Sequence, residues 1–195
     1  MKLSLQGWFD AITATLKEPD AAAERVFSYR FARSTLLQAV VVLSIINMIL
    51  LAIVSLITPT SIDGAVHVTP LSLVILIAGS MCILAAAIAK IGRMFGGVGD
   101  LDGALTAVVW LQAVGLTLDG AQILLMLLSP LIAVFFGFAA LFALAWCTVN
   151  FVNVLHGFNS LGKATVTLIV ALIGTIIAVV ILMALLGITP SGDMT

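Results

Sequence analysis

Leu116-Thr117-Leu118-Asp119-Gly120-Ala121-Gln122-Ile123-Leu124-Leu125-Met126-Leu127-Leu128-Ser129-Pro130-Leu131 is the stretch whose reading decides the fold. It lies inside residues 103–155, a run that carries a single charge, Asp119. A bilayer core takes about 20 residues of helix per crossing. The run is therefore long enough for two spans and a turn between them. Asp119-Gly120 and Ser129-Pro130 both offer a turn. The first leaves helices of about 16 and 35 residues, the second helices of about 26 and 25. The second division is preferred, with spans at 103–128 and 131–155. A short re-entrant segment near 118–122 is the alternative, and it would put Asp119 at the outer interface.

Composition sets the solvent. Of 195 residues, 63% are apolar and 9% are charged, with a mean hydropathy of +1.30. A soluble domain carries about 25% charged residues, so this chain cannot cover a water-facing surface, and lipid must surround it. Outward from the central run, further uncharged stretches give spans at about 36–57, 71–89 and 164–187. The expected fold is all-α: a five-transmembrane-helix bundle over 36–187, an N-terminal amphipathic segment over 1–35 and a short tail, 188–195. The loops are 58–70, with Asp63 and His67, then 90–102, and the link around His156 to Lys163. All eight bases, Lys2, Lys17, Arg25, Arg30, Arg33, Lys90, Arg93 and Lys163, fall on one side of the five spans. The positive-inside rule makes that side the cytoplasm. The N-terminus is then cytoplasmic and the C-terminus lies opposite.

The N-terminal segment is not a cleavable signal peptide, because its apolar run begins too late and acidic residues precede it. Leu5, Trp8, Phe9, Ile12 and Leu16 share one helical face. Gln6, Asp10, Thr13 and Lys17 occupy the other. That pattern suits a helix in the membrane interface anchored by Trp8 and Phe9, or one packed on the cytoplasmic ends of the spans. Glu18-Pro19-Asp20 punctuates the chain. A second helix is expected over roughly 19–33, where Arg25, Arg30 and Arg33 alternate with Phe27, Tyr29 and Phe31. With Lys90 and Arg93 they form the expected anchors at anionic headgroups.

Few residues carry chemistry. Gln112, Gly115, Asp119 and Gln122 share a stripe that should point inward, since a carboxyl on a lipid face is costly. Asn47, Asn150 and Asn153 complete a candidate intramembrane polar site. Gly96-Gly97-Val98-Gly99 lacks the Gly-Lys-Ser/Thr of a phosphate loop and reads as a flexible turn between spans. Asp100-Leu101-Asp102-Gly103 is one residue short of a metal-binding phosphatidyltransferase motif, and reads as the acidic start of the third span. Cys82 and Cys147 read as small buried apolar side chains. No catalytic, cofactor or metal residue is assigned, and no enzyme is expected.

Three short motifs carry a resemblance. They are Leu16-Lys17-Glu18-Pro19, then Arg93-Met94-Phe95-Gly96-Gly97-Val98-Gly99-Asp100-Leu101 leading into Ala104-Leu105-Thr106, and Val154-Leu155-His156-Gly157-Phe158. Together they make the chain resemble the Yip domain family, the Ypt/Rab-interacting membrane proteins, in its short bacterial form. The resemblance covers about 19–187. Trp110-Leu111-Gln112 stands where the family often has Gly-Tyr or Ala-Tyr followed by proline. The long polar N-terminal region of eukaryotic members is missing, so a Rab-type GTPase is not expected as partner, nor is nucleic acid. The resemblance implies five spans, a cytoplasmic N-terminus and a non-enzymatic role. That role is a membrane scaffold or accessory subunit that binds other membrane proteins or itself, organises the bilayer, or both. A bacterial inner membrane is the expected location. The alternative is a small transporter or channel with a polar pathway around Asp119.

Overall fold

The computed structural model describes residues 4–57 and 69–187. The expected tail, most of the 58–70 loop with Asp63 and His67, and Lys2 lie outside the described residues. Every regular element among the described residues is an α-helix. Helix α1 spans Leu5–Lys17, capped by Ser4, whose side chain accepts from the Gly7 N–H. Helix α2 spans Pro19–Ser28, with proline in the first turn where its missing N–H is harmless. It stops five residues earlier than the arginine pattern suggests. Arg30 sits at φ +44, a left-handed geometry that breaks the helix before the first span. Arg30 and Arg33 therefore do not continue the helix that carries Arg25.

Five long helices follow: α3 (Arg33–Ile57), α4 (Pro70–Met94), α5 (Leu101–Leu128), α6 (Pro130–His156) and α7 (Leu161–Leu185). All five are long and apolar enough to cross a membrane. The division at Ser129-Pro130 is seen directly. Ser129 ends α5 and caps α6, its hydroxyl facing the Ile132 N–H, and Pro130 opens the new helix. Helix α5 runs unbroken through Asp119-Gly120, so the re-entrant alternative is not what forms. Helix α4 continues to Met94, which puts Lys90 and Arg93 on its last turns rather than in a loop.

Packing is concentrated at one end. Helix α5 lies against α6 and α4, and α4 lies against α7. The larger core joins Leu36 and Val40 of α3, Ile88 of α4, Leu105 of α5, Val152 of α6 and Leu168 of α7. All of these are within a few turns of the basic ends of their helices. A second cluster packs Ala22, Ala23 and Val26 of α2 against Leu111 of α5 and Cys147 and Phe151 of α6.

Candidate functional site

His156 closes α6, and its residue is 1% exposed. The Gly99 N–H donates to its Nδ1 at 3.2 Å. Its Nε2 lies 3.1 Å from the Ile88 carbonyl. A carbonyl only accepts, so Nε2 carries the proton and the ring is neutral. One side chain thus ties α6 to α4 and to the loop before α5. The fit depends on glycine. A Cβ on Gly99 would stand 2.7 Å from the ring, and one on Gly92 or Gly97 would stand nearer still. Phe158 stacks on the ring at 5.1 Å, and the Val98 N–H donates to the His156 carbonyl at 3.2 Å. The Arg93 Nε donates to the Gly99 carbonyl at 2.8 Å. The glycine run is therefore a socket for an imidazole and not a flexible turn. Glycines there let the ring approach the backbone, which any side chain would block. Sequence reading missed this. The available signal was a lone histidine at a helix end and a glycine run, far apart in the chain.

The socket joins two of the three motifs behind the resemblance, Arg93–Leu101 and Val154–Phe158. The Yip1 domain matches residues 13–183. The chain belongs to the Yip1 domain family. No curated protein and no solved structure matches it. With its five apolar helices, it is an integral membrane protein of Yip type.

The N-terminal segment of this Yip1-domain protein is docked on the bundle. The Trp8 Nε1–H donates to Thr117 Oγ1 at 3.3 Å, and its ring meets Trp110 edge-on at 5.8 Å. The Trp110 Nε1–H in turn donates to Thr15 Oγ1 at 3.1 Å. The Cys147 thiol reaches the Thr15 carbonyl at 3.3 Å. Of the two expected anchors, Trp8 therefore packs on protein, whereas Phe9 is exposed. Arg25, Arg30 and Lys90 are exposed. Arg33 pairs with Asp102 at 2.6 Å with both side chains in the open.

The polar residues within the spans separate into two groups. Gln112 and Asp119 line a groove of about 260 Å³ between α4, α5 and α6, with Thr148, Gly115, Leu84 and Leu144. Asp119 stands exposed at its rim, and no described residue bonds to its carboxyl. Gln122 packs beside it on the α6 side, where a Cβ on Gly137 would meet its amide at 2.6 Å. The asparagines serve elsewhere. Asn150, 2% exposed, donates to the Trp146 carbonyl at 2.8 Å. Asn153 Oδ1 accepts from the Ser160 N–H at 3.0 Å, which holds the turn into α7. Asn47 is half-buried on α3 and is not among the groove residues.

Proposed function

We propose that this Yip-type protein is a non-enzymatic membrane scaffold or accessory subunit that holds another membrane protein, or a second copy of itself, against the Asp119 groove. Asp119 carries the reading. An acid inside a membrane span ordinarily faces a polar or charged partner. Here it stands exposed between α4, α5 and α6 with no described partner, in a groove whose lining is mostly apolar. A partner helix with a donor side chain would satisfy it at close range. Family membership supports the reading, since Yip1-domain proteins are generally not enzymes. The distribution of bases supports a cytoplasmic N-terminus.

The test is gentle solubilisation of native membranes and recovery through a C-terminal tag. A stoichiometric membrane partner, or a homo-oligomer, lost on Asp119→Leu is the expected result. A solitary monomer from both chains would sink it. The transport reading draws less support from the geometry. Of its six pathway residues, only Gln112 and Asp119 line the groove; Asn150 bonds back to the Trp146 carbonyl within α6, and Asn153 accepts from Ser160 at the start of α7.

A further inference from the structure

Two flanks of the bundle meet the membrane differently at the same height. On one flank, lipid-facing apolar side chains begin almost at the basic helix ends. Leu37, Val41 and Val42 of α3 are exposed, as are Val166, Ile169 and Val170 of α7. On the other flank, α2 and α1 cover α5 and α6, and the outer surface of α2 and of the α1–α2 turn is charged, while Leu5 and Phe9 leave the first turns of α1 partly apolar. Asp10, Lys17, Glu18, Asp20, Glu24 and Arg25 are all exposed.

The side-chain contacts fix how far this charged cover extends. Near Arg30 it borders Asp100 and Asp102 across a polar cleft of about 640 Å³ that also reaches Glu24 and Thr106. At Phe27 it meets Phe151, edge-on at 5.9 Å. At Thr15 it meets Trp110 and Cys147. Trp110 lies nine residues beyond Leu101, and Cys147 lies nine before His156. At 1.5 Å per residue, both are about 13 Å from the basic ends of their helices. Lys17, Glu18 and Asp20 are therefore presented about 13 Å along the spans. Trp8 reaches further, to Thr117. A hydrocarbon core is about 30 Å thick, so 13 Å is most of one leaflet. Charges at that depth are costly to hold against acyl chains. A bilayer meeting a short hydrophobic surface thins to match it.

We propose that the α1–α2 flank holds the headgroups and water of the base-rich leaflet about 13 Å deeper than the α3–α7 flank does. The protein is then a one-sided wedge, whose ligand on this flank is a locally thinned lipid leaflet. The polar cleft on the same flank is the start of that water layer. This goes beyond the partner-binding function proposed above and is separate from the groove at Asp119.

The experiment uses the full chain in phosphatidylcholine nanodiscs, which leave both faces open to reagent. Thr15→Cys places a thiol beside native Cys147, and oxidation reads whether α1 is docked at depth. Trp8→Cys with Thr117→Cys, bridged by a short bifunctional thiol reagent because the indole edge that makes the contact is longer than a disulfide can replace, reads the same docking if Thr15→Cys does not fold. Asp20→Cys and Val170→Cys are then compared for modification by a membrane-impermeant maleimide. Val170 lies nine residues into α7, at matching depth on the opposite flank. Wild type, with Cys82 and Cys147 only, is the control. Crosslinking, with Asp20→Cys modified at least about tenfold faster than Val170→Cys, is expected, because only a hydrated thiol ionises and reacts. Failure of both crosslinks would mean the segment lies flat on the surface and would overturn the wedge. Crosslinking with equal slow labelling would overturn it as well, because acyl chains would then cover both flanks. Asp119→Leu leaves the labelling ratio unchanged, so this outcome is independent of the partner test.

Discussion

Near Arg33, Asp102 and Lys163, each helix buries a residue at almost every turn. Toward the opposite end, beyond Ser44 of α3, Leu116 of α5 and Thr175 of α7, no further residue of those helices is buried among the described residues. The two ends also treat polar groups differently. Ser44, Thr15, Asn150 and His156 are enclosed, each with a bond to a specific carbonyl. Asp119 is exposed beside a groove. A membrane gives helices little hydrophobic reason to associate, because lipid tails are as apolar as side chains. Tight packing and internal hydrogen bonds therefore locate the stability of this bundle at its basic end. The other end is left free to bind.

The largest effect that would break this contrast is His156→Ala. It empties a closed socket, strands the Gly99 N–H and takes from the Ile88 carbonyl its second bond, the one beyond the helical bond. A loss of about 3 kcal/mol follows from the cavity and the unpaired N–H. Thermal unfolding in mild detergent measures it. A wild-type midpoint would show that the socket does not hold α4 to α6. Glycine substitutions sharpen the point, because a helical Gly→Ala exchange should by itself help by up to about 1 kcal/mol. At Gly174 of α7 nothing lies near the new methyl, so Gly174→Ala should be neutral or stabilising. At Gly92 the methyl would strike the His156 ring, so Gly92→Ala should cost about 1–3 kcal/mol through overpacking. Equal midpoints for the two variants would erase the difference between the ends.

Trp110→Phe is expected to act more weakly. It keeps an aromatic ring against Trp8 but removes the bond to Thr15, a loss of about 1 kcal/mol. Limited proteolysis near Glu18 checks it, since a loosened α1 should be cut sooner. An unchanged cutting rate would show that the segment is held by other contacts.

The sequence disclosed the helices more fully than the contacts between them. Five long apolar runs, four of them uncharged and the fifth carrying only Asp119, bounded by bases and turns, leave few other ways to satisfy the backbone in lipid, and Ser129-Pro130 marked the one ambiguous turn. The socket was hidden because nothing periodic announces it. His156 meets Ile88 and Gly99, residues distant in sequence, and glycine looks the same whether it frees a turn or makes room for a ring. The amphipathic face of α1 was plain, but periodicity cannot say whether lipid or protein covers it. Trp8 found Trp110 and Thr117, whereas Phe9 on the same face did not dock. The stripe from Gln112 to Gln122 was legible as a line on one helix. That Gln112 and Asp119 border a groove, while Asn150 bonds back along α6 and Asn153 holds the turn into α7, depends on how the helices are placed against one another.

Asp119→Leu should change stability least and binding most. The carboxyl makes no bond to a described residue, so its removal strands nothing. A carboxyl at a lipid-facing position is itself unfavourable, and leucine suits the Leu84 and Leu144 walls of the groove. The unfolding midpoint should therefore stay at or slightly above the wild-type value, within about 0.5 kcal/mol of a surface exchange. Recovery of the partner, or of the homo-oligomer, should fall sharply. Asp119→Asn distinguishes the kind of bond, because an amide still accepts a hydrogen bond but offers no charge. If Asn retains the partner, the donor is neutral. If both variants lose it, the partner helix brings a base. A marked loss of stability in Asp119→Leu, with the partner retained, would place the carboxyl among the structural contacts and return the open end of the bundle to lipid alone.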